Sequence, residues 1–233
     1  MEGPSEPAVI ITPDMLEAGA GRRVDFERGM ARLPPLVLTL MVVNVAVFVW
    51  EVAAGVLTEP HGLEAGGALV RERVLAGEWW RMVTAMLLHG GPDHLLGNIF
   101  VLYIVGMACE HAFGLARTAV VYFASGLGGA ALSMAAGPGP SVGASGAIFG
   151  VLAAVIVTLY RYQDRFYVRD KRIGFVLAFW AAWQVVTGFA TPFIDNFAHI
   201  GGFAGGALVA LVLVPRLVVA APPAPAHAAP PPG

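Results

Sequence analysis

Charge is scarce in this chain. Asp, Glu, Lys and Arg make up 13% of its 233 residues, about half of the roughly 25% usual in soluble globular proteins. The mean hydropathy is +0.71. A soluble core of this size cannot hide so much apolar surface, so lipid is the expected solvent for most of the chain. A single cysteine, Cys109, excludes an internal disulfide; inside an apolar run it reads as a small hydrophobe. The formal net charge of -2 leaves no basic excess for nucleic acid, which is excluded as a partner. No HExxH is present, so a zinc protease lacks its ligand pair and its base.

What is abundant is apolar sequence in span-sized runs. About 20 mainly apolar residues cross the hydrocarbon, and six candidates fit: 35–57, 93–114, 117–136, 145–160, 173–190 and 197–219. The first is too long for the core of a signal peptide and has no convincing cleavage site. The fourth is short and rich in Gly and Ala, which predicts a place deep in the bundle. Orientation follows from the basic residues. With a cytoplasmic N-terminus, Arg22, Arg23, Arg28, Arg32, Arg117, Arg161, Arg165, Arg169, Lys171, Arg172 and Arg216 lie inside. Arg71, Arg73 and Arg81 lie outside. The chain thus divides into a cytoplasmic N-terminal segment (1–33), a membrane domain (34–219) and a disordered Pro/Ala tail (220–233). Between the first two spans, residues 58–92 contain "EWWRMVTAMLLHG", whose apolar part is too short to cross. Trp79 and Trp80 suit a headgroup-level helix that fills space there.

Polar side chains inside spans are costly and tend to mark function. Here they share a depth. The second, fourth and sixth spans enter from the outer face. The second carries His94 and Asn98, spaced i, i+4 on one helical face. The fourth opens at Ser145, and the sixth carries His199 in its first turn. At 1.5 Å per residue all four lie within roughly 10 Å of one level. A serine beside a histidine base is the arrangement of a nucleophile. Asn98, His94 and the Ser145 N–H could serve a developing oxyanion, helped by the positive end of the fourth helix. Gly146 and Gly150, facing Gly201, Gly202, Gly205 and Gly206, have the small-xxx-small spacing that brings two helices together. The same glycines and serine are also compatible with tight packing alone. Metal binding by His89, His94 and His199 is not expected, because the carboxylates near them are Asp93 and Asp195 at the surface. "GASGA" is not the G-x-S-x-G elbow of α/β-hydrolases. A small-solute transporter would carry polar groups at mid-membrane and inverted repeats, and neither is found.

"GASGAIFG" with "AHIGGFAGG", preceded by "HGGPDHLLGNIF" and "WWR", resembles the rhomboid family of intramembrane serine proteases over residues 35 to 215. The resemblance implies an all-α, six-transmembrane-helix bundle with a long interfacial loop between helices one and two. It implies a serine endopeptidase that cuts transmembrane segments of membrane proteins near the outer face. The family's GxSG serine falls on Ser145, behind Gly143, as nucleophile. Its AHxxG histidine falls on His199, as general base and then acid. Its HxxxN pair falls on His94 and Asn98, which with the Ser145 N–H would bind the oxyanion. Supporting roles fall on Phe149, Gly202, Gly206, the Trp80–Arg81 pair of the loop, and Glu110 late in the second helix. The position of Phe149 is often tyrosine in bacterial members, so a ring on His199 is kept and its hydroxyl lost. No carboxylate is placed for a triad; Asp195, one turn before His199, is expected in solvent. No cofactor is implied. The implied partners are single-pass or multi-pass membrane protein substrates and the lipid bilayer. The Gly/Ala-rich composition and the positive-inside pattern suit a bacterial inner membrane with both termini cytoplasmic. The alternative is a catalytically silent rhomboid-like protein that binds membrane helices.

Overall fold

The computed structural model describes residues 24–219 other than 138, 169–171 and 192–193. Arg22, Arg23, Arg169, Lys171, most of the N-terminal segment and the whole Pro/Ala tail lie outside the described residues. Six apolar helices account for the bulk of the fold: α1 (Pro35–Ala53), α5 (Pro92–Phe113), α6 (Leu115–Ala136), α7 (Ser145–Arg161), α8 (Ile173–Gly188) and α9 (Asn196–Val212). The first three are long and apolar enough to cross a membrane, and the other three are apolar helices of 16 or 17 residues. Short helices α2 (Gly62–Gly66), α3 (Arg71–Leu75) and α4 (Arg81–Thr84) sit in the α1–α5 connection, and α10 (Arg216–Val219) follows α9.

Local chemistry sets the boundaries. α1 and α5 each start on a proline, whose missing N–H costs nothing in a first turn. The expected sixth span, 197–219, is interrupted: α9 stops at Val212, and Leu213 turns to extended backbone (ψ 132°) two residues ahead of Pro215. Proline cannot continue the helix and pushes its predecessors out of it. The first span likewise ends at Ala53 rather than 57, at Gly55 with φ +71°.

Helix α7 lies at the centre, with α5, α6 and α9 packed around it. Gly146 to Val155 are all buried, as the shortness and small residues of this span predict. α8 stands at the periphery. Only Ala181 and Gly188 are buried in it, while Phe175, Phe179 and Trp183 face outward. Apolar side chains in that position are stable in lipid rather than water. One feature was not expected: Val24–Asp25 (β1) pairs in parallel with Phe166–Tyr167 (β2), and Phe26 packs edge-on against Phe166 and His111. This pairing joins the N-terminal segment to the α7–α8 connection at the end of the bundle away from Ser145.

The α1–α5 connection is built on Arg81, which is 2% exposed. Its guanidinium donates to the carbonyls of Glu64 (2.7 Å) and Ala68 (3.0 Å) and to the Glu78 carboxylate (2.6 Å). It also lies 4.7 Å from the Trp80 ring centroid. This segment is a hydrogen-bonded unit rather than a space-filling helix. Leu69 and Ser141 exchange backbone hydrogen bonds, which ties it to the segment leading into α7.

Candidate active site

Ser145 is the first residue of α7, and its hydroxyl lies 2.8 Å from Nε2 of His199, one turn into α9. Two helices far apart in sequence reach this distance only because their facing residues have no side chains. A Cβ on Gly202 would land on the Gly146 carbonyl, and one on Gly206 on that of Gly150. Close approach of the two backbones therefore requires glycine at both positions. The His199 ring is fixed on its flank by Phe149, one turn after Ser145. The two rings stack at 4.3 Å with 4° between their planes, and Trp180 of α8 stacks beyond at 6.1 Å.

His94 and Asn98 are on the first turns of α5, on one face. The Asn98 amide donates to the His94 carbonyl at 3.0 Å. Gly143 stands between them and Ser145: its φ is +120°, and a Cβ there would meet the His94 ring at 2.7 Å and Asn98 Nδ2 at 3.7 Å. The Gly143 N–H donates to Ala85 of the α1–α5 connection (2.8 Å). At the start of α7 the first N–H groups lack intrahelical partners and carry the positive end of the helix dipole. Ser145, His199, His94, Asn98, Gly143 and Phe149 are thus gathered at one end of the bundle. Trp80 and Arg81 organise the neighbouring connection. Glu110 is far away, at the other end of α5. Its two oxygens accept from Leu36 N (3.1 Å) and Val37 N (3.0 Å) and so cap α1.

Two carboxylates differ from the sequence reading. Asp195 is half-buried, not free in solvent. It N-caps α9 by accepting from Ala198 N (3.0 Å) and accepts a hydrogen bond from the Ser133 hydroxyl of α6. An Asp just ahead of an apolar helix is the usual capping signal. With its oxygens so engaged, Asp195 is not placed as a third triad member, and His199 Nδ1 has no hydrogen-bond partner among the described residues. The second is Glu51. Asp93 and Asp195 are not the only carboxylates at this level, because Glu51 lies near the end of α1 and is fully buried. It accepts from the backbone N–H of His89 at 3.0 and 3.3 Å. Among the described residues no cluster of three or more His, Cys, Asp or Glu is arranged for a metal ion.

The model of the Rhomboid domain matches residues 76–216. The chain belongs to the rhomboid family. It is 35% identical over 188 residues to rhomboid protease GluP of Bacillus subtilis, covering 81% of this chain and 36% of that protein. It is 30% identical over 212 residues to rhomboid protease AarA of Providencia stuartii, covering 78% and 74%. With RHOMBOID-like protein 4 of Arabidopsis thaliana the identity is 37% over 153 residues, covering 65% and 38%. The chain therefore spans between about a third and three quarters of the length of these curated relatives. Family and apolar helices together make this rhomboid chain an integral membrane protein.

Proposed function

We propose that the chain is an intramembrane serine endopeptidase working through a Ser145–His199 dyad. The observation that carries this reading is the 2.8 Å contact between Ser145 Oγ and His199 Nε2 at the head of a buried helix. A substrate helix unwinds near the outer face and presents a peptide carbonyl to Ser145. His199 Nε2 takes the hydroxyl proton as Oγ attacks, and the imidazolium then passes that proton to the leaving amine. Phe149, stacked on the ring, keeps it in the plane that serves both transfers. The oxyanion is held by the Ser145 N–H with His94 and Asn98, donors that cost no reorganisation because the helices already hold them. Water then attacks the acyl-enzyme with His199 again as base. No cofactor has a part in this scheme.

The membrane domain comprises residues 34–219. The N-terminal segment 1–33 and the tail 220–233 lie on the cytoplasmic side, a reading supported by the excess of basic residues assigned to that face. The site then opens on the outer face of a bacterial inner membrane, and the substrates are membrane proteins with one or more spans. The alternative, a silent helix-binding protein, is separated by one experiment. Purified wild type, Ser145→Ala and His199→Ala are incubated in detergent with a single-span protein substrate. The account predicts cleavage by wild type alone. Binding of the helix without cleavage by a folded wild type would establish the alternative.

A further inference from the structure

We propose that Glu51 is a positioning residue for His94, acting through the loop that precedes α5. The proposal rests on the reading of His94 as an oxyanion donor. Burying a carboxylate is costly unless its oxygens receive hydrogen bonds, and Glu51 is 0% exposed on a helix that otherwise faces lipid on much of its surface. Both of its oxygens are directed at one donor, the backbone N–H of His89. His89 is also fully buried; its Nδ1 lies 3.1 Å from the Leu87 carbonyl, and its ring meets the His94 ring edge-on at 5.2 Å, 65° between planes.

His94 also meets the backbone of Gly143, which approaches so closely that even a methyl there would touch the imidazole at 2.7 Å. The ring thus has two close neighbours, His89 and Gly143, the latter at its Cε1–Nε2 edge. Gly143 is already fixed by its bond to Ala85, so the remaining freedom lies on the His89 side. Glu51 removes it. The two ends of α1 are tied to α5 in complementary fashion. Glu110 of α5 caps the start of α1, and Glu51 near the end of α1 grips the loop that starts α5. A tie needed only for stability could hold any peptide of the loop, whereas this one holds the residue whose ring braces His94.

The test is a double-mutant cycle with full-length protein in detergent and a single-span substrate. kcat and KM are measured for wild type, Glu51→Met, Glu51→Gln, His94→Ala and the Glu51→Met/His94→Ala double variant. Glu51→Gln keeps one acceptor oxygen, can still accept the His89 N–H, and should stay within about 2-fold of wild type as the conservative rescue. Glu51→Met keeps the length of the side chain but removes both acceptor oxygens. Oxyanion-donor losses run to about 10²–10³, and a displaced donor is expected to cost about 10-fold in kcat with KM unchanged. In the His94→Ala background the same substitution should change kcat by less than about 2-fold, because the residue it serves is gone. Equal losses in the two backgrounds, or no loss in either, would overturn the proposal. Histidine-labelled protein supplies a readout independent of turnover. The His94 ring resonances, assigned by His94→Ala, should move in Glu51→Met; unmoved resonances would also overturn it. An inactive wild type would instead sink the peptidase reading, and the spectra would still decide the positioning.

Discussion

Replacing Gly202 by alanine adds one methyl group at the tightest point of the bundle. Its Cβ would fall on the Gly146 carbonyl, with Gly146 Cα at 3.0 Å. Ordinary carbon contacts lie at about 3.5–4.0 Å, so the backbones of α7 and α9 must separate by on the order of 1 Å. Both are regular helix there, and neither offers a flexible side chain that could yield instead. Overpacking of this kind costs about 1–3 kcal/mol. The catalytic consequence is larger. Ser145 lies one residue before Gly146, and His199 lies three before Gly202, so the separation is delivered almost directly to the 2.8 Å contact. Near 3.8 Å there is no hydrogen bond, and a misplacement of about 1 Å can cost about 10²-fold in rate. The assay is steady-state cleavage beside a thermal melt. Gly174→Ala, where a Cβ meets nothing within 4 Å, is the control and should keep full activity with equal or slightly higher stability. Wild-type turnover in a folded Gly202→Ala protein would refute the claim that these glycines set the dyad distance.

Asn98→Ala should lower kcat by about 10²–10³ without abolishing labelling of Ser145; unchanged turnover would remove Asn98 from the oxyanion site. Arg81→Ala removes a bond from the Glu64 carbonyl, which keeps the Gly67 N–H, and leaves the buried Ala68 carbonyl unpaired, at about 1–3 kcal/mol; calorimetry should find a lower melting temperature, and an unchanged one would show that the α1–α5 connection stands without it. Glu110→Ala leaves two N–H groups of α1 uncapped and should cost about 1–2 kcal/mol, read by melting, with little effect on KM. His89, in the loop, has its pKa lowered to about 4, first by burial and then by the nearby His94. Its folded form resists the proton that the unfolded chain takes up near 6.5. The stability this histidine supports is whole above about pH 6.5 and is lost as the pH falls towards 4; His89→Phe should flatten that part of the melting-temperature profile, and a profile unaltered by the substitution would contradict the assignment.

The helices were legible because lipid imposes length and apolarity on them, and the position of Ser145 at the head of a small-residue helix could be read from its neighbours. The meeting of Ser145 with His199 was legible in part for a related reason: Gly202 and Gly206 meet α7 as their spacing suggests, whereas Gly201 and Gly205, expected on the same face, pack against α6. Glu51 was not. An acidic residue near the end of an apolar run reads as an interfacial charge, and nothing local says that a loop peptide 38 residues later turns its N–H towards it. The Asp195 cap did carry a local signal, an Asp directly ahead of an apolar helix, but one turn before His199 the same residue also has the spacing of an exposed neighbour. The stop at Val212 was written in Pro215, but the apolar run beyond it masked the break. The pairing of β1 with β2 involves two residues on each side, too few for any alternation to show.

The central claim is that Ser145 is a nucleophile activated by His199. It is tested most directly by incubating purified wild type, Ser145→Ala and His199→Ala with a fluorophosphonate and locating the adduct by mass spectrometry. The account predicts one adduct, on Ser145, in wild type only, with the His199 variant slowed to background. A folded wild type that stays unlabelled, or an adduct that persists in Ser145→Ala, would contradict it.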